Sequence, residues 1–229
     1  LLIHGTTTTT NALLEKKFAR CGLITTTGFR DVLELGRRTR PNPYGLIGSF
    51  EPLISREYRL EVDERMDADG NVVTALDEDG VRAAAEKLVA LGCESLVIHF
   101  LHAYANDSHE KRAAEIAGAV WPNDHITYGS AILAEFREYE RGVAAAVNAA
   151  IQPVLTRYLE RLRDELNNGG YSRDLLVMQG NGGTVSSAVV AKSAINTVMS
   201  GPASGVMAAA FTGARSGFEN IISYDMGGT

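Results

Sequence analysis

Seven consecutive uncharged residues, Ser95-Leu96-Val97-Ile98-His99-Phe100-Leu101, constrain this chain more than any other stretch. A short apolar run without polar alternation fits a strand covered on both faces, as strands of parallel sheets are. Upstream, Asp77 is placed to cap a helix whose Val81, Ala84, Ala85, Leu88 and Leu91 recur at helical spacing, and Gly92 closes it. Downstream, Asn106 or Asp107 caps a second helix carrying Ala113, Ile116, Ala117 and Val120, and a short strand follows at 125–128. Helix, strand, helix, strand in this order requires crossover connections. The sequence therefore predicts an α/β fold with mixed, mostly parallel sheets and flanking helices.

The other segments are read against that unit. Leu1-Leu2-Ile3 ends a strand and leads through His4-Gly5 into five threonines, 6–10, and a helix from Asn11. His4, Thr6 and Thr7 are candidates to face a ligand at that helix N-terminus, although capping of a surface helix accounts for the same residue types. Residues 21–27 form a β-branched strand, and 29–35 a short helix with Val32, Leu33 and Leu35 inward. Residues 36–52 are irregular, and Arg37, Arg38 and Arg40 there read as an anion clamp or a solvated basic face. Residues 57–63 alternate, predicting a half-buried antiparallel strand with Tyr58, Leu60 and Val62 inward and Arg59 outward. Residues 67–71 read as a hairpin turn; they lack the later ligands of a calcium loop. His99, inside its strand, is read as a core residue, and His102, at the strand's carboxyl end, as a site candidate.

From 133 to 166 the apolar spacing is helical, with Pro153 expected to kink or split the helix and the segment expected to link two lobes. A buried strand, 175–178, then runs into Gln179-Gly180-Asn181-Gly182-Gly183, a glycine loop that allows close approach of a ligand or simply a tight turn. Ser200-Gly201-Pro202-Ala203-Ser204-Gly205 opens a helix of small residues. Finally Ile221-Ile222-Ser223-Tyr224, read as a buried strand, delivers Asp225, Gly227, Gly228 and Thr229. An aspartate at a strand end followed by glycines presents a carboxylate and bare N–H groups to a phosphate and its metal.

With 229 residues, 45% hydrophobic and 22% charged, the composition is that of an ordinary globular protein. A net charge of −6 argues against nucleic acid or an anionic membrane as partner. No stretch is long and apolar enough to span a bilayer, and none reads as a secretory signal. Cys21 and Cys93 lack metal-ligand spacing and are expected to be reduced, in a cytoplasmic protein. Both ends fall inside a pattern, so the chain is expected to be an internal fragment of a longer polypeptide.

The order SGPASGV, small-residue helix, apolar strand, DMGGT resembles the superfamily of acetate and sugar kinases, heat-shock chaperone ATPases and actin. The blocks HGTTTTTNALLEKK, GLITTTGFRDVLELGRRTRPNPY, FLHAYANDSHEKRAAEI, EFREYERGVAAAVNAAIQPVLTRYL and MQGNGGTVS are together similar to the hydantoinase A, 5-oxoprolinase and acetone carboxylase β-subunit family over essentially the whole chain. The resemblance implies a partial actin-like, ribonuclease H-like ATPase fold. It divides into 1–130, an N-terminal region lacking its first phosphate hairpin, and 131–229, the start of a hydantoinase A domain. It implies a parent enzyme that uses ATP and Mg²⁺ to open a small cyclic amide by phosphorylating its oxygen, or alternatively carboxylates a ketone. It also implies a second, hydantoinase B-like subunit or domain as partner. Small-molecule kinase action and a non-catalytic module of the same fold remain as further alternatives. On the matching positions, Asp225 would hold the metal shell or orient water, and Gly227, Gly228 and Thr229 would cradle phosphate. Ser200, Gly201, Asn181, Gly182 and Gly183 would line the same cleft, with His4, Thr6 and Thr7 opposite. The family's first Asp-x-Gly-Gly-Thr hairpin would precede Leu1 and its adenosine segment would follow Thr229, so this stretch alone is expected neither to bind ATP tightly nor to turn over.

Overall fold

A computed structural model of the chain describes residues 1–37, 42, 44, 45, 48 and 51–227. Arg38 and Arg40 of the arginine loop, and Gly228 and Thr229, lie outside the described residues. In chain order the elements are β1 (Leu2–His4), α1 (Thr8–Leu14), β2 (Cys21–Thr26), α2 (Val32–Leu35), β3 (Arg59–Val62), β4 (Arg65–Met66) and β5 (Val72–Thr74). There follow α3 (Glu78–Ala90), β6 (Ser95–His99), α4 (Ser108–Gly118), β7 (Ile126–Tyr128), α5 (Gly129–Ile132) and α6 (Glu138–Asn168). The last are β8 (Leu175–Met178), β9 (Thr184–Ser186), α7 (Ser187–Lys192) and α8 (Ser200–Arg215). Two compact units result, Ala19–Ala150 and Leu1–Phe18 with Ile151–Thr229.

In the unit Ala19–Ala150, four strands in the order β3-β2-β6-β7 are all parallel, with Leu23 opposite Val97 and Ile98 opposite Tyr128. Every residue of β2 and β6 is buried, as the unbroken apolar run at 95–101 requires. One face packs Ile24, Leu96 and Ile98 against Val81, Ala85 and Leu88 of α3 and Ala113 and Ile116 of α4. The Asp77 side chain accepts Gly80 N–H at 3.0 Å and starts α3, and Gly92, at φ +76°, ends it. From β2 the chain goes to β3 on one side of it, and later to β6 and β7 on the other. The carboxyl ends of β2 and β6 thus form a topological switch point.

Residues 57–63 depart from expectation twice. β3 pairs parallel with β2, not antiparallel, because alternation reports a half-buried strand and carries no information on direction. Arg59 is buried, not outward: it donates to Asp31 (3.1 Å), Glu34 (2.9 Å) and the Ile54 carbonyl (2.8 Å), partners 5–28 residues away in sequence. In α2 Leu33 is buried but Leu35 is 60% exposed, since a one-turn helix presents only part of its circumference inward. The 67–71 turn forms as expected, with Asp67 Oδ1 accepting the N–H groups of Asp69 and Asn71, and it joins β4 to β5.

In the other unit β8 is central, parallel to β1 and antiparallel to β9. Leu175, Val177, Ala12, Ile151, Leu155, Leu159, Val190 and Ala194 are its buried apolar residues. Helix α6 continues through Pro153 as one helix, so the expected split does not occur. Proline removes one N–H···O=C bond, and the fully buried Ile151 and Leu155 flank that loss and keep the segment helical. Residues 221–227 form no strand: Ile222 is 97% and Tyr224 81% exposed. An apolar run becomes a strand only where a neighbouring strand supplies the ladder, and none of the described residues pairs with this one.

Candidate functional site

Within the unit containing β1 and β8, the residues singled out at 4–7, 179–183 and 200–201 are drawn together by hydroxyl and backbone ties. Ser200, buried at the start of α8, donates its hydroxyl to the Thr6 carbonyl at 3.0 Å. The Thr9 and Thr197 hydroxyls bond at 2.9 Å, Thr10 Oγ1 accepts Met199 N–H at 3.0 Å, and Thr6 Oγ1 accepts Thr8 N–H at 3.1 Å. The five threonines therefore act as internal ties and as the start of α1. Thr7 is exposed, and a Cβ at Gly201 would meet its methyl at 3.4 Å; one at Gly5 would meet Ser204 Oγ at 3.7 Å. Glycine at these two positions leaves room for the small side chains of Thr7 and Ser204 to pack there.

His4 lies at the end of β1, where Nε2 bonds the Tyr158 hydroxyl at 2.7 Å and burial holds its pKa below the usual imidazole value. The glycine loop is the tight β8–β9 turn: Gly182 sits at φ +83°, and Asn181 Oδ1 accepts Gly183 N–H at 2.8 Å. Gly180 donates to the Asn196 carbonyl at 2.6 Å, and a Cβ there would meet the Val198 carbonyl at 2.5 Å, which docks the turn onto the segment leading into α8. Met199, at φ +61°, starts α8 without a side-chain cap, so the first-turn N–H groups have no capping acceptor. Asp225 and Gly227 are exposed, and a Cβ at Gly227 would meet no atom within 4 Å.

A second constellation, which the pattern reading missed apart from His99 and His102, occupies the switch point in the other unit. Thr26, the last residue of β2, bonds Glu64 through its hydroxyl and accepts Leu101 N–H at 3.1 Å, joining the ends of β2 and β6. Glu110, fully buried in α4, accepts Phe100 N–H at 2.9 Å and Ser130 N–H at 2.7 Å. Arg141, also fully buried, donates to the Phe100 carbonyl at 2.7 Å, to the Glu135 carbonyl at 3.2 Å and to Glu138. Glu138 in turn accepts His102 N–H at 3.1 Å. Burial raises the pKa of both Glu110 and Glu138.

His99 lies among these groups, its Nδ1 3.8 Å from Glu110 and its Nε2 3.9 Å from Glu138. Cβ atoms at Gly129 and Gly142 would meet its ring at 2.9 Å, so two helices close over it at glycines. Burial, then the Arg141 charge, pushes its pKa down to about 3, and the ring is neutral. His102 adopts φ +57°, a left-handed conformation that costs a non-glycine residue about 1–3 kcal/mol. Its Nδ1 lies 3.0 Å from the Met66 carbonyl. The signal for Glu110 was present in the sequence: it shares a helical face with Ala113 and Ala117, so a carboxylate points into the core. Among the described residues no group of three or more His, Cys, Asp or Glu is arranged to hold a metal ion.

Compared with known proteins, residues 1–121 match the family model described as the hydantoinase/oxoprolinase N-terminal region, and 141–229 match that described as hydantoinase/oxoprolinase. An uncharacterised protein of Methanocaldococcus jannaschii is 39% identical over 235 residues, covering 100% of this chain and 34% of its own length. Caprolactamase subunit alpha of Pseudomonas jessenii is 32% identical over 232 residues, 100% of this chain and 33% of its own. The crystal structure of that ATP-dependent caprolactamase superposes with a TM-score of 0.88, and a nucleotide-free acetone carboxylase structure with 0.84 at 28% identity. These cover 100% and 99% of this chain and 34% of each solved chain, so the chain spans about a third of the length of these relatives.

Proposed function

The chain belongs to the hydantoinase/oxoprolinase family, and from that membership we propose that its parent is an ATP-dependent hydrolase opening a small cyclic amide, of the hydantoin, 5-oxoproline or caprolactam kind. The observation that carries this reading is the match of the whole chain, in sequence and in fold, to an ATP-dependent caprolactamase. ATP with Mg²⁺ would supply the phosphoryl group that turns an inert amide oxygen into a leaving group.

The residues at the start of α8 fit a phosphate: the backbone N–H groups of Ser200 and Gly201 without a side-chain cap, and the small residues Gly201 and Gly5, beside which only the Thr7 methyl and the Ser204 hydroxyl stand. Asn181, Gly182 and Gly183 would line that site from the β8–β9 turn, and His4, Thr6, Thr7 and Ser200 would shape it from behind. Gly227, Gly228 and Thr229 would complete the phosphate cradle. Asp225, a single exposed carboxylate, suits a magnesium ion held mostly by phosphate oxygens and water. The proposal includes a second, hydantoinase B-like subunit or domain, supported by the relative's designation as a subunit, and a cytoplasmic location, with which two free buried cysteines accord. No helix among the described residues is long and apolar enough to cross a membrane.

The second reading, ATP-dependent carboxylation of a ketone, is favoured by the acetone carboxylase likeness. ADP release by the full-length protein separates the two. Stimulation by 5-oxoproline, hydantoin or caprolactam with opening of the ring is expected; stimulation only by acetone with bicarbonate would replace the first reading with the second.

A further inference from the structure

We propose that the cavity between α6 and α7 binds the head group of an α-amino acid, a carbon that carries both an ammonium and a carboxylate. The whole cavity lies in the unit Leu1–Phe18 with Ile151–Thr229. From α6 it is lined by Thr156, Leu159, Glu160 and Arg163, which fall at i, i+3, i+4 and i+7 and so share one helix face. From α7 come Ser187 and Ala191, and the short Ala191 side chain leaves open what a larger one would fill. The space is about 90 Å³. That is roughly three times the ~30 Å³ share of one water in the liquid, so it suits a small polar head group.

Two observations choose the ligand. The Thr156 hydroxyl oxygen is buried and has no hydrogen-bond partner among the described residues. A buried hydroxyl left unpaired is costly, and a bound polar group removes that cost. Glu160 and Arg163 border the same cavity three residues apart, yet neither forms an ion pair or a hydrogen bond among the described residues. A carboxylate and a guanidinium that face one space without pairing match a ligand carrying both charges. Its carboxylate takes the Arg163 fork, and its ammonium donates to Glu160. A simple anion would meet Glu160, and a simple cation would meet Arg163. Thr156 and the buried Ser187 bring hydroxyls, which donate or accept and so serve either charge. Leu159, 4% exposed, gives the cavity its apolar backing, while Glu160 and Arg163 are exposed and leave the ligand's own side chain a way out to solvent. The binding stands apart from the proposed reaction, but its meaning rests on that reading. Opening 5-oxoproline frees an amine on the carbon that already bears a carboxylate, so the product is an amino acid of this class.

The test is calorimetric titration of the full-length protein with glycine, which has the head group but is not the product of opening 5-oxoproline or caprolactam. Saturable binding is expected, with acetate and methylamine, which carry one charge each, binding about tenfold or more weakly. Ala191→Leu fills the cavity and Arg163→Ala removes an exposed charge; each should weaken glycine binding about tenfold or more. Thr156→Val keeps the shape and removes the hydroxyl, for a loss of about fivefold, and it replaces Ala191→Leu if that variant does not fold. Glu160→Gln should erase the preference for glycine over acetate, a change that altered packing alone would not produce. Glycine that fails to saturate the protein by about 10 mM overturns the proposal and leaves the cavity to water. So does acetate binding as tightly as glycine, or glycine binding that neither Arg163→Ala nor the cavity variant weakens. The proposed function fails separately: a protein that binds glycine here but releases no ADP with amide or ketone keeps this site and loses only its link to the product.

Discussion

Glu110, in the first turn of α4, accepts the backbone N–H of Phe100, the residue that follows β6, at 2.9 Å. The same carboxylate accepts Ser130 N–H at the start of α5, so one buried side chain closes the ends of two strand-following segments. Replacing Glu110 with alanine orphans both donors, each costing about 1–3 kcal/mol when buried without a partner. Urea unfolding of Glu110→Ala should show a loss of about 2–5 kcal/mol; a change below about 1 kcal/mol would mean that water or a rearranged backbone satisfies those groups.

Gly142 lies inside α6, where alanine would ordinarily add about 1 kcal/mol of helix propensity. Here a Cβ would meet Leu33 Cδ2 at 2.8 Å and His99 Cδ2 at 2.9 Å. Overpacking of a buried ring should win, and Gly142→Ala is expected to destabilise by about 1–3 kcal/mol. A melting temperature at or above wild type would refute the close approach of α6 to His99.

His99 makes stability depend on pH with a defined sign. Its folded pKa, about 3, lies below the ordinary value of 6.5 because burial and Arg141 oppose the charged ring. Below pH 6.5 the unfolded chain takes up a proton that the fold excludes, so this contribution is complete above 6.5 and declines as pH falls toward 3. Glu110, Glu138 and Arg141 face the ring, and the raised carboxylate pKa values act with the opposite sign, their contribution declining as pH rises. Comparing wild type with His99→Gln from pH 7 to 5 isolates the histidine. The wild type should lose up to roughly 1.4 kcal/mol more per pH unit; parallel curves would show that His99 is not held neutral.

Cys21 and Cys93 are buried and free, and burial pushes their thiols up to about 12 and about 11. Thiolate is the reactive species, so both should resist a disulfide reagent at pH 8 in the native protein and react promptly in urea. Rapid modification of either in native buffer would place that cysteine at the surface.

Much of the fold was legible in local pattern. The apolar run at 95–101, the Asp77 cap, the Gly92 stop and the 67–71 turn each carry their signal within a few residues, and each appears where expected. Arg59 was read outward because its partners, Asp31 and Glu34, lie more than twenty residues upstream and no period reports them. The run at 221–224 was read as a strand because hydrophobicity alone marks what could be buried, whereas a strand also needs a neighbour. The threonines at 6–10 were recognised as a helix start, yet their bonds to 197–200 depend on a return of the chain almost two hundred residues later.

The sequence by itself determined most element types, 221–224 excepted, and the mostly parallel α/β class, because side-chain periodicity and capping are properties of adjacent residues. It also carried the family, because many separate blocks agree in order. Only the tertiary structure decided the strand order β3-β2-β6-β7 and therefore the switch point between β2 and β6. Only there do Thr26, Glu64, Glu110, Glu138, Arg141, His99 and His102, scattered over more than a hundred residues, gather into one cluster of buried and half-buried polar groups. Hydrogen bonds and desolvation act over ångströms in space, and distance along the chain does not report them.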